Sequence, residues 1–443
     1  MDPQAWQLLA IFCTCVAGLI VEPLPVPVWA FLCLTMAVVS KTLTWQVALS
    51  GFTNDVIWLI TVSFFFARGI VQSGLGVRIA QSFVAAFGKS TLGLSYCLTT
   101  AEAFMAMAMP SNTARAGGVF LPVIKSLSEE AGSTPEHKPQ RLGRFLAMSQ
   151  CHGAAQHSSN LFVTGAAQNL MCLKLAEEAG IVLVNPFMQW FSAACMPCLA
   201  CLFVAPYAMY KLCPPDIKET PEAPAAARRK LEALGPLSQG ECVMLLAMAA
   251  ATVVWVCGFG LPGATGAMLG LSILLSTGVL SWQDCLAESS AWSTITWFSV
   301  LVGFSGALNQ MGLIDWMANN VSASVVGLGL PVWGSIGVLL AAYFLAHYLF
   351  ASQTAHVASL FSAFLAMIIM AGGGSVFSAL LLAFTTNLFG SISHYASGSS
   401  VVFYNAGYIS LRDFWVLGAK MAVINSSVFF AVALPWWWCL GLI

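Results

Sequence analysis

The residues best able to do chemistry in this chain are small hydroxyls and carboxamides placed twice along it. Ser111-Asn112-Thr113 follows Pro110, and Ser352-Gln353-Thr354 follows Phe350-Ala351; each set breaks an otherwise apolar stretch. Two residues past each set stands a potentially cationic side chain, Arg115 in the first copy and His356 in the second. Hydroxyls and carboxamides donate hydrogen bonds, a guanidinium forks onto a carboxylate, and a helix N-terminus adds positive potential. Acids are scarce beside them. Glu102 is the only acid of the first segment, and residues 332–410 contain no Asp, Glu, Lys or Arg, leaving only His347, His356 and His394. A cation carrier or proton pump needs buried carboxylates, so this pattern suits an anion. A kinked helix padded with Ser and Thr explains one copy alone, but not the twinning.

A third polar element follows each set. SSNLFVTGAAQN (158–169) and TTNLFGSISHYASG (385–398) interrupt apolar runs and read as discontinuous spans whose unwound middles face the polar tips. They bring Thr164, Gly165 and Asn169 from the first copy, and Ser393, His394 and Ser397 from the second, into the candidate binding set. His152, His157 and His347 fit core positions better.

These elements need a membrane around them. Of 443 residues, 59% are hydrophobic and 8% charged, against the roughly 25% charge of ordinary soluble domains. Apolar runs long enough to span a bilayer recur throughout, so the fold class is an all-α polytopic membrane protein. A net charge of −1 with no basic stripe gives no reason to expect nucleic acid. Of the 14 cysteines most lie in apolar runs; the C-x-x-C-x-x-C of Cys195, Cys198 and Cys201 lacks polar neighbours and reads as helix packing. Gly88-Lys89-Ser90-Thr91 fails as a phosphate loop because Phe83 stands at the required glycine. No nucleophile–base set is visible, and neither a cofactor nor a metal site is expected.

Residues 213–240, rich in Pro and charge, separate two halves. This linker, with Lys218, Arg228, Arg229 and Lys230, and a second hydrophilic loop over 126–144 are expected on the cytoplasmic side. The first apolar run starts directly after Met1-Asp2-Pro3 without a charged leader, which favours a bacterial inner membrane. Trp436-Trp437-Trp438 reads as an interfacial anchor. The halves resemble each other: VQSGL (71–75) answers NQMGL (309–313), SNTA (111–114) answers SQTA (352–355), and SSNLF (158–162) answers TTNLF (385–389), in the same order. The expected organisation is therefore N-terminal scaffold spans over 1–53, a first repeat over 54–211, the linker over 212–240, scaffold spans over 241–291 and a second repeat over 292–443. Re-entrant hairpins fall near 91–126 and 332–371, and broken helices near 145–174 and 376–406.

PSNTARAGGVFLPVIKSL (110–127), FASQTAHVASLFSAFLAM (350–367) and NLFGSISHYASG (387–398) resemble the divalent anion/sodium symporter family, in the branch of the plastid 2-oxoglutarate/malate translocator and its bacterial relatives. The resemblance runs from about Asn54 onward. It implies a homodimer whose subunits each carry a scaffold and a moving transport part that works as an elevator. Small dicarboxylates would sit between the two tips, held by Ser111-Asn112-Thr113 and Ser352-Gln353-Thr354. Residues 165–169 match the family's Gly-Thr-Pro-Pro-Asn loop at Gly165 and Asn169. The sequence departs where sodium-coupled members place a hydroxyl four residues before each tip: here stand Met107 and Tyr348. Arg115 and His356 replace the Thr that follows each tip, so a resident cation in each half takes the place of a bound ion. Arg115 cannot leave with the cargo, so an empty site would cross the bilayer with an unpaired charge. That argument predicts obligatory, sodium-independent exchange. The rival readings are a sodium-coupled symporter of citrate, succinate or tartrate, and an anion channel.

Overall fold

A computed structural model describes residues 3–21, 23–312, 316, 330–350 and 352–443. Leu313 of the NQMGL motif and Ala351 lie outside these residues. The described chain is helical without named strands. The helices are α1 (Pro3–Val21), α2 (Val26–Val39), α3 (Asp55–Ser73), α4 (Leu75–Phe87), α5 (Thr91–Ala106), α6 (Leu121–Glu130), α7 (Gly143–Ser149), α8 (Ala155–Leu161), α9 (Ala167–Glu178), α10 (Pro186–Leu212), α11 (Ala223–Leu234), α12 (Gln239–Cys257), α13 (Gly263–Ser276), α14 (Ser289–Gln310), α15 (Val332–Ala346), α16 (Gln353–Met370), α17 (Ser375–Leu388), α18 (Gly398–Asn405) and α19 (Leu411–Cys439). Seven of the described helices are long and apolar enough to cross a bilayer: α3, α10, α12, α14, α15 with the turn that follows it, α16 and α19.

Local chemistry sets many of the helix ends. Asn54 caps α3, Ser90 caps α5 and Asn185 caps α10, each accepting from a backbone amide of the first turn. Ser238 and Glu241 close a reciprocal capping box on α12. The paired motifs VQSGL and NQMGL end α3 and α14 in the same way, with Gly74 at φ 78° and Gly312 at φ 86°. Those left-handed positions explain the shared glycine.

A buried aromatic cluster joins the two halves. Trp190 of α10 meets Phe384 of α17 at 4.7 Å, and Phe384 stacks on Trp437 at 5.8 Å. Trp190 is fully enclosed and donates to Asn160 O at 2.7 Å. The expected aromatic anchor at the end of α19 is therefore corrected. Trp437 is core and donates to Ala193 O at 2.9 Å, Trp436 donates to Ser192 O at 2.7 Å, and only Trp438 is exposed. Their indole N–H groups find carbonyls at the start of α10, which draws them inward.

The linker is a structured strap. Its helix α11 packs along α4, and Arg78 of α4 reaches back to Glu241 Oε1 at 2.5 Å and to Gly235 O at 2.9 Å. Thr220 N–H donates to Lys89 O at 2.9 Å while Thr91 N–H donates to Lys218 O at 2.9 Å, so residues 217–220 pair with the base of α5. Arg78→Ala should lose about 1–3 kcal/mol, because Glu241 and the Gly235 carbonyl lose a charged donor. A thermal melt of the purified protein should show a lowered midpoint, and an unchanged midpoint would mean the strap holds without it.

Candidate functional site

Two helices break and restart at the polar tips. After α5 the chain turns through residues 107–111; Pro110 has no N–H to continue a helix, and Ser111 is extended at φ −113°, ψ 103°. Its hydroxyl accepts from Ala114 N–H at 3.2 Å, starting a new helix. That helix runs through a π turn, Ala116–Phe120, into α6. The second tip repeats the geometry: Ser352 is extended and accepts from Ala355 N–H at 3.5 Å to open α16. Ser397 does the same for α18, accepting from Ser400 N–H at 3.1 Å.

The three N-termini converge. Asn112 Nδ2 lies 3.5 Å from Gln353 Oε1, so the tips meet through their carboxamides. A Cβ placed on Gly398 would stand 1.8 Å from Thr113 Oγ1, which brings the start of α18 against the first tip and requires a glycine there. Ser352 and Thr354 share a hydroxyl contact of 2.7 Å. Ser111, Asn112, Ser352 and Thr354 are half-buried and Thr113 is exposed, so these donors remain reachable.

Each break frees backbone carbonyls that a membrane interior cannot solvate, and side chains satisfy them. In the first half Asn169 Nδ2 donates to Ser159 O at 2.7 Å and to Phe162 O at 3.1 Å, and Thr164 Oγ1 donates to Met107 O at 2.6 Å. Arg115 does the rest. Its guanidinium is fully buried, donating to Gly165 O at 2.8 Å, to Ser159 Oγ at 2.7 Å and to Met109 O. In the second half Tyr348 O–H donates to Phe389 O at 2.7 Å, Gln353 Nε2 to Thr386 O at 2.9 Å and Ser400 Oγ to Gly390 O at 3.0 Å. His347 Nε2 lies 2.7 Å from Ala396 O, which fixes the proton on that nitrogen.

The expectation of an unpaired guanidinium is corrected. Arg115 Nε faces Glu102 Oε1 at 3.3 Å, both side chains fully buried, and Gln150 Nε2 closes on the other carboxylate oxygen. The pair is neutral, so an empty site carries no net charge from Arg115 across the bilayer. His356 does not mirror Arg115 either. It sits in an aromatic cage of Tyr343 at 4.4 Å, Phe389 at 4.6 Å and Phe350 at 5.2 Å, with no hydrogen bond to its ring nitrogens. The side chain reaching the second unwound carbonyl is His347. His394 packs 4.8 Å from Tyr404 and accepts from Trp415 Nε1 at 3.3 Å. Ser393 is buried with no partner for its hydroxyl; Thr164 and Gly165 tie the first break to the first tip, through Met107 O and Arg115, and Asn169 braces the break itself.

Beneath the tips runs a chain of carboxamides. Gln168 Nε2 bridges Gln353 Oε1 at 3.1 Å and Asn387 Oδ1 at 2.9 Å. Asn387 Nδ2 in turn donates to Asn160 Oδ1 at 2.6 Å and Asn169 Oδ1 at 2.7 Å. Asn160 and Asn387 occupy the same place in SSNLF and TTNLF, and that match is the signal that could have placed both in the site. Ser159 lies in the same motif, Glu102 stands out only as the lone acid of the first segment, and Gln150 and Gln168 carry no comparable sequence signal. Gly398→Ala should cost about 1–3 kcal/mol by overpacking against Thr113, and Thr113→Ala in the same chain should recover part of it. Equal melting midpoints for Gly398→Ala and the unaltered protein would contradict this packing.

The chain is 53% identical over 445 residues to "Dicarboxylate transporter 2, chloroplastic" of Spinacia oleracea, covering 100% of this chain and 79% of that one. It is 41% identical to "Putative malate transporter YflS" of Bacillus subtilis, covering 100% and 92%. It is 32% identical to "Citrate/succinate antiporter" of Escherichia coli K12, covering 98% and 93%. The YdaH transporter of Alcanivorax borkumensis shares the fold alone, with a TM-score of 0.58 at 14% identity over 90% of this chain and 89% of that one. The family described as "Sodium:sulfate symporter transmembrane region" matches residues 1–443, and the chain belongs to it.

Proposed function

We propose that this multi-pass membrane protein exchanges small dicarboxylates of the 2-oxoglutarate, malate and succinate class, independently of sodium. The observation that carries the reading is the setting of Arg115. Its guanidinium donates to three neutral oxygens, Met109 O, Gly165 O and Ser159 Oγ, between the first tip and the first unwound segment, with the Glu102 carboxylate on its Nε side. Such oxygens would suit a small cation, and here a fixed side chain fills the place. His347 reaches the second unwound segment in a comparable way. The cargo's carboxylates would meet Ser111, Asn112 and Thr113 on one side and Ser352, Gln353 and Thr354 on the other, under three helix N-termini.

Dicarboxylate cargo is supported by the names of the relatives, and exchange by the name of the antiporter among them. Charge alone does not enforce exchange, since Glu102 neutralises Arg115. An elevator motion and a homodimer are carried over from the family resemblance. Inverted repeats find support in two contacts, Asn112 with Gln353 and Asn160 with Asn387, because equivalent residues meet each other near a two-fold axis. The bacterial inner membrane is not proposed: the chloroplastic relative matches at higher identity than the bacterial ones.

Proteoliposomes loaded with malate should take up labelled dicarboxylate by counterflow at the same rate with or without sodium. Sodium-driven uptake into empty vesicles would overturn the reading, and currents far above carrier rates would indicate a channel. Arg115→Ala should abolish exchange and also destabilise the fold by about 3–5 kcal/mol, since Glu102 is left buried without its partner. The double variant Arg115→Gln, Glu102→Gln should recover most of the stability but not the exchange, measured by melting and counterflow together. Full exchange in the double variant would remove the guanidinium from the mechanism.

A further inference from the structure

A dicarboxylate held by Ser111, Asn112 and Thr113 lies directly above the buried ion pair. The guanidinium binds the carbonyl of Met109, two residues before Ser111, so it sits immediately beneath the first tip. Glu102 lies behind it on α5, fully buried. In the empty site one positive and one negative charge balance. A bound dicarboxylate adds two negative charges at the tips, so three carboxylates then lie around one guanidinium, with Glu102 and Arg115 fully buried beneath them. Like charges held close in a low-dielectric interior cannot all stay ionised.

The contacts indicate which carboxylate gives way. Carboxylates placed at the tips would face the hydroxyls of Ser111, Thr113, Ser352 and Thr354 beside the helix starts that the two serines cap, a setting that favours the ionised form. Glu102 receives Gln150 and a single guanidinium contact at 3.3 Å. The guanidinium's other contacts go to neutral oxygens of the tip and the unwound segment, so Arg115 holds its place whether or not Glu102 is charged. The remaining polar neighbours of Glu102 are neutral: Ser158 and the Cys151 thiol, both from the broken helix. His152 packs instead on Phe414 at 4.7 Å, and His157 turns toward Asn425. His347 and His356 belong to the second tip.

We infer that Glu102 is a proton-binding site linked to the cargo: a dicarboxylate entering between the tips draws one proton from solvent onto the Glu102 carboxylate, and that proton leaves when the cargo leaves. One O–H bond forms at a carboxylate oxygen, nothing is oxidised or reduced, and the loaded protein carries one negative charge fewer than the cargo alone would give it. The inference rests on the dicarboxylate reading above.

Calorimetric titration of the purified protein with malate tests it, near neutral pH where free malate carries both charges, in buffers of different ionisation enthalpy. The observed heats should vary with the buffer in proportion to about one proton taken up per malate bound. Glu102→Gln should bind malate several-fold more tightly, with heats that no longer depend on the buffer. Binding by the unaltered protein with buffer-independent heats would overturn the inference while leaving the transport reading intact, and this arm needs no variant. Proton uptake that persists in Glu102→Gln would assign the proton elsewhere and overturn it as well. Failure to bind malate, succinate and 2-oxoglutarate at all would sink the dicarboxylate reading and this inference with it.

Discussion

The arrangement of the tips depends on how the backbone groups freed by broken helices are satisfied where water is scarce. A helix that stops in mid-membrane exposes carbonyls, and each needs a donor. In the first half the donor that matters most is Arg115, because one planar side chain reaches the tip at Met109, the unwound segment at Gly165 and the hydroxyl of Ser159. Those contacts hold hairpin and broken helix together as one piece. The second half solves the same problem with less charge, through the phenol of Tyr348, the imidazole of His347 and the amide of Gln353.

This difference changes what the cation is for. Read from the sequence, Arg115 is a free positive charge awaiting a carboxylate. In the fold it is a brace whose charge Glu102 already answers. Its value to the proposed anion site would then be indirect. It braces the backbone beside Ser111, Asn112 and Thr113, and under the proposed neutralisation of Glu102 it would keep positive potential beneath them.

The positions of the tips and breaks were legible because they rest on local rules. Pro110 before Ser111, the apolar flanks and the paired Ser-Asn-Thr and Ser-Gln-Thr sets locate the tips, and Gly165 and the run of small residues near Ser397 locate the breaks. The helix ends at Gly74 and Gly312 follow from paired motifs. What the sequence concealed depends on packing between distant segments. Glu102 stands out only as the lone acid near Arg115, not as its buried partner, and nothing in Gln168 reveals that it spans from Gln353 to Asn387. His356 and His394 sit at suggestive positions, yet aromatic neighbours that only the fold supplies enclose one and draw the other aside. The tryptophans ending α19 mislead for the same reason: two of them find carbonyls on α10 that no local pattern announces.

The strap formed by residues 217–220 bears on the order in which the molecule is built. Those residues leave the ribosome after the first hairpin and before any of the second half, so the base of α5 gains its partners early. The same holds for Glu102, Gln150, Ser159 and Gly165, which together surround Arg115 without help from later residues. Asn160, Gln168 and Asn169 must wait for Asn387. A nascent chain halted in the linker would thus hold a finished cation cage beside an amide cluster still lacking its centre, and the arrival of TTNLF would be the step that commits the two halves to each other.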